Sequence, residues 1–497
     1  MSTPRVRIAP SPTGNLHIGT ARAALFNYLF AKKHGGVFVL RIEDTDMERS
    51  DKKYEQNIFE GLRWLGIDPD EGPEQEGPFA PYRQSERTAV YEKYIRQMLA
   101  EGKAFYCFHS EKELAEEKER MMAEKRAVLH ICEYRDMPMA AAAALTEKNP
   151  DHIVRFKTPA GRKITFHDLI RGEVSFDSDL LGDFSIARKV DAPLYHFAVI
   201  VDDIEMKTTH VIRGEDHIPN TPKHILLFEA LDATIPQFAH IPLILGSDRS
   251  KLSKRHGATS VDEYRAAGYL PEALFNFMAL LGWNPGGDKE IFSKEELIEK
   301  FSLEKVQKSG AVFDIKKLDW MNGEYIRRKS VEELTEICLP YLKDFLQVSI
   351  PSNQFSNEYI KKVVELEQPR LKKISEIGEL TDYFFRTPQY DKQLLRWKLM
   401  SDQEIFDSLS RSEKIISEVK IFESEFRSPY ADLLKKDGAS VKVGDIGLIF
   451  WPLRVALTGK KASPGPFEIM EILGIEESLA RIRAAKDTLG RENGQTG

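Results

Sequence analysis

The segment that most narrows the fold is Val37 to Ile42, a nearly continuous apolar run that reads as a strand buried on both faces of a parallel sheet. Ahead of it, Arg5 to Ala9 alternates polar and apolar residues, Pro10 to Gly14 forms a turn, and a helix is predicted from about Gly19 to Lys33. That helix gathers Ala21, Ala24, Leu25, Tyr28 and Leu29 on one face and stops at Gly35 and Gly36. A strand returning parallel to the first needs a right-handed crossover helix. The turn after the first strand then lies at a helix N-terminus, where backbone N–H groups favour anions. The chain thus starts as one half of a nucleotide-binding sheet.

The rest of the chain extends this pattern. Helices are predicted at about Tyr54 to Leu65 and Ser85 to Glu101, each stopped by a glycine, Gly66 and Gly102. A charged helix opens at Ser110 with Glu113 in capping-box spacing and is too polar all round for a core. Ile153 to Ser185 reads as short strands and turns. Tyr195 to Val201 and Thr209 to Arg213 then read as buried strands, followed by a helix at Thr221-Pro222, so the sheet resumes after an insertion. From about Ser293 onward nearly every segment is helical by period and caps, with Ser293/Glu296 and Ser330/Glu333 as capping boxes. The expected class is α/β: a Rossmann-like parallel-sheet domain with an α+β insertion, then an all-α C-terminal region. At 497 residues, about three domains are expected.

Composition excludes several classes. Lys plus Arg number 71 against 78 Asp plus Glu, a net charge of -7, so the chain is no uniformly basic nucleic-acid coat. A local basic face remains open to a polyanion. No apolar run approaches the ~18 residues of a membrane helix, and no apolar signal core follows Met1, so no membrane and a cytoplasmic location are expected. Three cysteines, Cys107, Cys132 and Cys338, make no disulfide framework. Neither Gly-x-Gly-x-x-Gly nor a Walker-type lysine loop occurs, which removes the main support for dehydrogenase and kinase-type chemistry.

Two constellations carry chemistry. In Arg7-Ile-Ala-Pro-Ser-Pro-Thr-Gly14-Asn-Leu-His17-Ile-Gly19, two prolines stiffen the turn and the glycines let a ligand approach the backbone. His17 opens the helix, either as a cap or as a donor to a phosphate oxygen. In Lys251-Leu252-Ser253-Lys254-Arg255, three cations and a hydroxyl sit on a loop bounded by Gly246 and Gly257. By itself such a run is a solvated surface; beside the first motif it suits a mobile clamp on polyphosphate. Arg7 and Arg213 come from strand ends at one sheet edge, and an arginine fork pairs bidentately with a carboxylate. Glu43, after the next strand, can take an ammonium.

The pair of motifs resembles the HIGH-type and KMSKS-type signatures of class I aminoacyl-tRNA synthetases. With Leu40-Arg-Ile-Glu43-Asp-Thr-Asp46, Pro81-Tyr82-Arg83-Gln-Ser85-Glu-Arg87 and Val211-Ile-Arg213-Gly-Glu215-Asp-His217, the chain is similar to the bacterial glutamyl-tRNA synthetases. The resemblance runs from Arg5 to about Arg328 and more loosely to the end. It implies glutamate at Arg7, Ala9, Ser11, Glu43, Tyr195 and Arg213, and ATP at His17, Gly19, Glu215, Lys251, Leu252, Ser253, Lys254 and Arg255. His17, Gly19, Lys251 and Lys254 would carry the catalysis. Mg2+ would accompany ATP, activation would need bound tRNA, and a monomer is expected. Val199 stands where some relatives have a polar side chain. The implied domains are a catalytic domain in two halves, 1–102 and 191–245, an inserted acceptor-binding domain at 103–190, a KMSKS-type loop and connecting domain at 246–328, and an anticodon-binding region at 329–497.

A third constellation is Cys107-Phe-His109 with His130-Ile-Cys132 at the two ends of the charged helix, a spacing suited to a tetrahedral zinc site or to an unmetallated pair of thiols. Tyr134 or Glu133 could replace one ligand. Cys338, among Ile337, Leu339 and Leu342, reads as core. Cation clusters at Arg327-Arg328-Lys329, Lys361-Lys362, Arg370 with Lys372-Lys373, Lys435-Lys436 and Lys460-Lys461 read as solvated faces or as phosphate contacts along a tRNA arm. Trp451 and Phe450 read as core or as base-stacking platforms. By resemblance Pro369-Arg370 reads the anticodon of tRNA(Glu). Competing readings are an enzyme that also loads glutamate onto the glutamine tRNA, a catalytically silent RNA-binding protein on the same fold, and a tRNA-independent adenylating enzyme.

Overall fold

The computed structural model describes residues 3–125, 129–149, 151–348, 356–417 and 446–490. Strand β1 (Arg5–Ile8), helix α1 (Ile18–Lys33) and strand β2 (Val37–Leu40) form the expected unit, with β1 and β2 parallel from Arg5 opposite Val37 to Ile8 opposite Leu40. Gly35 takes φ +60, the left-handed conformation that ends α1, and a Cβ on Gly36 would lie 2.5 Å from the Pro4 carbonyl oxygen. Both glycines are thus required where the chain turns back beside β1. Helix α2 (Lys52–Trp64) starts at Asp51, whose side chain accepts from the Lys53 N–H, and α3 (Thr88–Ala100) follows a short 3-10 turn.

The insertion contributes to two sheets. Strands β3 (Ala104–Cys107), β4 (Ile153–Phe156), β7 (Ser185–Lys189) and β8 (Ala192–Pro193) form one antiparallel sheet, with helices α4 (Glu111–Ala123) and α5 (Met139–Lys148) between β3 and β4. The Ser110/Glu113 capping box opens α4 as predicted. The hairpin of β5 (Lys163–Asp168) and β6 (Gly172–Asp177) leaves that sheet instead. Asp168 at its end pairs in parallel with Phe238 of β10 (Gln237–Ile241), which extends the catalytic sheet.

One predicted element is corrected. Tyr195 to Val201 is the first half of a helix, α6 (Tyr195–Glu205), and not a strand. An unbroken apolar run fits a buried helix as well as a buried strand, and length decides between them. The run continues through Asp202 and Asp203, and the helical period puts Tyr195 and Val199 on one face with Asp203 a further turn along. After α6 come β9 (His210–Gly214), α7 (Thr221–Ala230) and β10, with β9 and β10 parallel. The Thr209 N–H donates to the Arg5 carbonyl at 2.9 Å, so β9 runs beside β1. The parallel pairs β2-β1 and β9-β10, set side by side through β1 and β9, bring Ser11, Glu43, Arg213 and Leu243 to a shared carboxyl edge, where open α/β sheets bind ligands. Phe197, Val201, Val211, Leu227 and Phe238 bury the layer between sheet and helices.

The chain forms two compact units, residues 1–265 with 271–318 and residues 266–270 with 319–497. The second is helical, built from Val331–Val348, Asn357–Glu367, Ile377–Phe385, Asp402–Ser417, Ile446–Thr458, Pro466–Leu473 and Ile475–Gly490. Cys338 is fully buried there, as expected. Trp451 donates to the Leu394 carbonyl at 2.8 Å and packs on Trp397, while Phe450 meets Phe467 edge-on, so both rings are packed inside the unit. Lys329, Lys361 and Lys460 pair with Glu333, Glu332 and Asp382. Lys435-Lys436 lies outside the described residues. Among those residues no helix is long and apolar enough to cross a membrane.

Candidate active site

A cavity of about 380 Å3 opens at the carboxyl edge of the sheet. It brings together Arg7, Ala9, Ser11, His17, Gly19, Glu43, Tyr195, Arg213, Lys251 and Leu252, ten of the residues singled out in the sequence, and Val199 lies among them. Asp216, His217 and Arg22 also line it. Glu215, Ser253, Lys254 and Arg255 do not line the cavity. Glu215 turns away to accept the Leu243 N–H at 2.6 Å and to pair with Arg171. Lys254 and Arg255 occupy a 3-10 turn, Lys254–His256, on the exposed side of the loop.

The two signature segments are tied by backbone. The Ile18 N–H donates to the Thr259 carbonyl and the Val261 N–H to the Leu16 carbonyl, both at 2.9 Å. The loop ending at Gly257 is therefore anchored beside the start of α1, although 234 residues separate His17 from Lys251. His17 is a cap: its Nδ1 accepts the Gly19 N–H at 3.0 Å, which puts the ring proton on Nε2. Burial, with Lys251 nearby, keeps its pKa below the usual histidine value. Lys251 pairs with Asp216 at 3.2 Å.

Beneath the cavity lies a closed ion network that the sequence did not reveal. Arg7 grips Asp203 through Nε at 3.0 Å and Nη2 at 3.2 Å. Arg41 reaches Asp203 at 2.8 Å, Glu43 at 3.1 Å and Asp202 at 3.5 Å, and Arg87 holds Asp202 at 2.7 Å. Three buried arginines meet three buried carboxylates, a balanced set with all three acids ionised; burial pushes the Glu43 and Asp202 carboxyls up, and the arginines hold Asp203 down. The available signal was two adjacent acids at the end of an apolar run, since buried carboxylates are almost always paired.

Arg213 is different. Only 7% exposed, it donates from Nε to His240 Nε2 at 3.2 Å, from Nη1 to His224 Nδ1 at 3.2 Å, and from Nη2 to Thr221 Oγ1 at 2.9 Å. Among the described residues it has no carboxylate partner, because Asp203 and Glu43 are engaged by Arg7 and Arg41. Burial pulls its pKa down to about 10, and it stays charged at neutral pH. The cavity floor thus carries the positive charge of Arg213 without a carboxylate beside it.

The third constellation also assembles. One donor atom from each of Cys107, His109, His130 and Cys132 lies within 4.8 Å of the others. Cys107 Sγ is 3.6 Å from both His109 Nδ1 and His130 Nε2, and Cys132 Sγ is 3.7 Å from His109 Nδ1. A tetrahedral ion with bonds of ~2.3 Å to sulfur and ~2.0 Å to nitrogen sets such pairs about 3.5 Å apart, so the four donors fit a single metal ion. The Glu117 carboxylate holds His130 Nδ1 and points its Nε2 inward. Hydrogen bonds from the Cys132 thiol, the His109 backbone and Arg155 hold the Cys107 thiol well below its ordinary pKa, while the same Cys107 contact and burial push Cys132 up. Tyr134 instead packs on the His109 ring, and Glu133 lies 3.8 Å from His109 Nε2.

In the second unit Arg370 sits on the turn Gln368–Arg370, its Nη1 held by both oxygens of the buried Glu367 at 3.0 and 3.1 Å.

Comparison with known proteins agrees with this geometry. Residues 4–320 match the family described as tRNA synthetases class I (E and Q), catalytic domain, and residues 333–486 match an anticodon binding domain. The chain belongs to the class I tRNA synthetases of that glutamate and glutamine family. Within it, the chain is 46% identical to the glutamate–tRNA ligase of Carboxydothermus hydrogenoformans, covering 96% of this chain and 98% of that one. It is 44% identical to the glutamate–tRNA ligase of Desulforamulus reducens, over 97% of this chain and 99% of that one. A crystal structure of a glutamate tRNA ligase from Elizabethkingia meningosepticum, in complex with its amino acid, superposes with a TM-score of 0.87 at 36% identity, covering 98% of this chain and all of that one.

Proposed function

We propose that this chain is a glutamate–tRNA ligase whose cavity activates L-glutamate with ATP and delivers it to tRNA(Glu). The observation that carries the reading is Arg213, a buried guanidinium without a carboxylate partner beside a network whose acids are engaged by other arginines. Such a charge is complemented by a ligand that brings a carboxylate of its own. Arg213 and Arg7 then face the glutamate side chain, Glu43 receives the ammonium, and Ala9, Ser11 and Tyr195 close around the rest. His17, Gly19, Glu215, Leu252, Ser253 and Arg255 serve ATP. An α-carboxylate oxygen attacks the α-phosphorus in line, an O–P bond forms, and the bond to pyrophosphate breaks. The Nε2 proton of His17 and the ammonium groups of Lys251 and Lys254 stabilise the charge that builds on the phosphates. Mg2+, carried in on the nucleotide, adds to that neutralisation. The terminal ribose hydroxyl of tRNA then attacks the acyl carbon and AMP leaves. Catalysis rests on positioning and electrostatics.

The remaining assignments follow the same reading. Residues 1–102 and 191–245 form the catalytic domain, 103–190 the acceptor-binding insertion, 246–328 the loop and connecting domain, and 329–497 the anticodon-binding region, where Arg370 contacts the anticodon. Cys107, His109, His130 and Cys132 would hold a structural zinc that pins the start of the insertion. Metal analysis of the purified protein should find one zinc per chain. Cys107→Ser should lose it and lower the melting temperature by about 5 °C or more.

The decisive assay is charging of total tRNA with labelled glutamate and, separately, glutamine. Glutamate should be incorporated, and Lys254→Ala should lower the rate by about 10²–10³ while leaving the fold intact. That lysine lies outside the cavity lining, so its effect requires the glycine-bounded loop to close over ATP. Incorporation of neither amino acid by a folded protein that binds tRNA would favour the silent RNA-binding alternative.

A further inference from the structure

Behind Arg213 runs a chain of neutral imidazoles that has no part in the reaction described above. His240 is fully buried, and its Nδ1 lies 2.6 Å from Asp168 Oδ2. A carboxylate can only accept, so the His240 proton resides on Nδ1 and the Nε2 lone pair faces Arg213 Nε. On the other side, Arg213 Nη1 donates to His224 Nδ1, which puts the His224 proton on Nε2, where it meets His196 Nδ1 at 3.2 Å. Every donor and acceptor in the row is thus used in one sense only. Burial depresses the pKa of His240, His224 and His196 alike, so the row stays neutral.

We infer that Asp168, by fixing the His240 tautomer, positions Arg213 and keeps its charge free for the substrate carboxylate. The inference rests on the glutamate reading of the cavity. An acid in direct contact with Arg213 would orient it equally well but would neutralise it; a neutral imidazole orients without neutralising. Placing the carboxylate one ring further away separates the two effects. Asp168 comes from the β5–β6 hairpin, so the insertion's extension of the catalytic sheet sets the geometry of the amino-acid site.

The two oxygens of Asp168 supply the test. Oδ1 accepts the Ile170 and Arg171 N–H groups of its own turn, while Oδ2 takes His240 Nδ1 at 2.6 Å, and the His240 backbone N–H reaches both oxygens, at 3.3 and 3.1 Å. Asp168→Asn keeps the first oxygen, which still takes the His240 backbone N–H, and replaces the second by an NH2 group, which donates to Nδ1 and moves the imidazole proton to Nε2, against Arg213. In charging assays the KM for glutamate should rise about tenfold or more with the KM for ATP within about twofold of wild type. His240→Gln, whose amide oxygen can still accept from Arg213 and which has no tautomer to set, should be nearly insensitive to Asp168→Asn in a double-mutant cycle. In the 15N-histidine-labelled wild-type protein, His240 should show a protonated Nδ1 and a bare Nε2. The opposite tautomer, or an active wild type whose Asp168→Asn variant keeps its glutamate KM or loses glutamate and ATP binding equally, overturns the inference. A wild type that charges no tRNA with glutamate overturns the glutamate reading itself.

Discussion

Asp203→Ala should destabilise the first unit by ~3–5 kcal/mol, the cost of leaving buried guanidinium groups without their acid. Asp203 is 3% exposed and accepts from Arg7 twice, from Arg41 once and from Thr208 at 3.2 Å. Without it, Arg7 keeps no carboxylate and the network gains net positive charge in a site closed to water. Against a typical total of about 5–15 kcal/mol, such a loss is large enough to unfold much of the protein at growth temperature. The exposed pair of Arg49 and Asp46 makes the control, because screening by water leaves little to lose: Asp46→Ala should melt with the wild type.

The pH dependence of this effect has a definite sign. Burial by itself would raise the Asp203 carboxyl, but Arg7 and Arg41 overcome it and bring the pKa from 3.8 down to about 2. A carboxylate with a depressed native pKa stabilises the fold above its unfolded pKa and loses that contribution as pH falls through the native value. The difference in unfolding free energy between wild type and Asp203→Asn should therefore be full above pH ~4 and shrink as the pH drops toward 2. Denaturant titrations at several pH values measure it. A difference that grew on acidification would contradict the network.

Much of this was legible in the sequence, for reasons that differ between elements. The first β-strand, α1 and β2 followed from period, capping and two glycines, all local signals. The cavity residues followed from the motifs, since Arg7, Glu43, His17 and Arg213 stand toward the end of a strand or the start of a helix, where the topology gathers them, and Lys251 lies on the glycine-bounded loop. The Cys and His set assembled as its paired spacing suggested. What was not legible depends on long-range pairing. The helix at Tyr195 was taken for a strand because burial on all sides erases the polar stripe that distinguishes one period from the other. The pairing of Arg7 and Arg41 with Asp203 spans 196 and 162 residues, and that of His240 with Asp168 spans 72. No local pattern encodes such partners. They become visible only once the insertion is seen to rejoin the sheet.

Arg213 should behave in the opposite way to Asp203. Arg213→Gln is expected to melt within about 1 kcal/mol of wild type, because it removes an uncompensated buried cation and leaves His240 Nε2 bonded to Thr221 Oγ1. Its activity should collapse: kcat/KM for glutamate should fall by about 10³ or more, since the substrate carboxylate would enter a buried site with no charge to meet it. Arg213→Lys should recover little of this. One ammonium group cannot donate at once to His240, His224 and Thr221 while presenting a flat edge to a carboxylate. Discrimination against glutamine should narrow at the same time, because the wild-type preference comes from the charge that the substitution removes. Parallel measurement of charging with glutamate and glutamine, beside a denaturant curve, separates these effects. A variant that lost stability as Asp203→Ala does, or that kept its preference for glutamate, would show that Arg213 is paired by the protein and not by the substrate. The two residues are 10 positions apart in the sequence, Arg213 lining the cavity and Asp203 in the network beneath it. One is held by partners the chain supplies, and the other awaits a partner that arrives with the ligand.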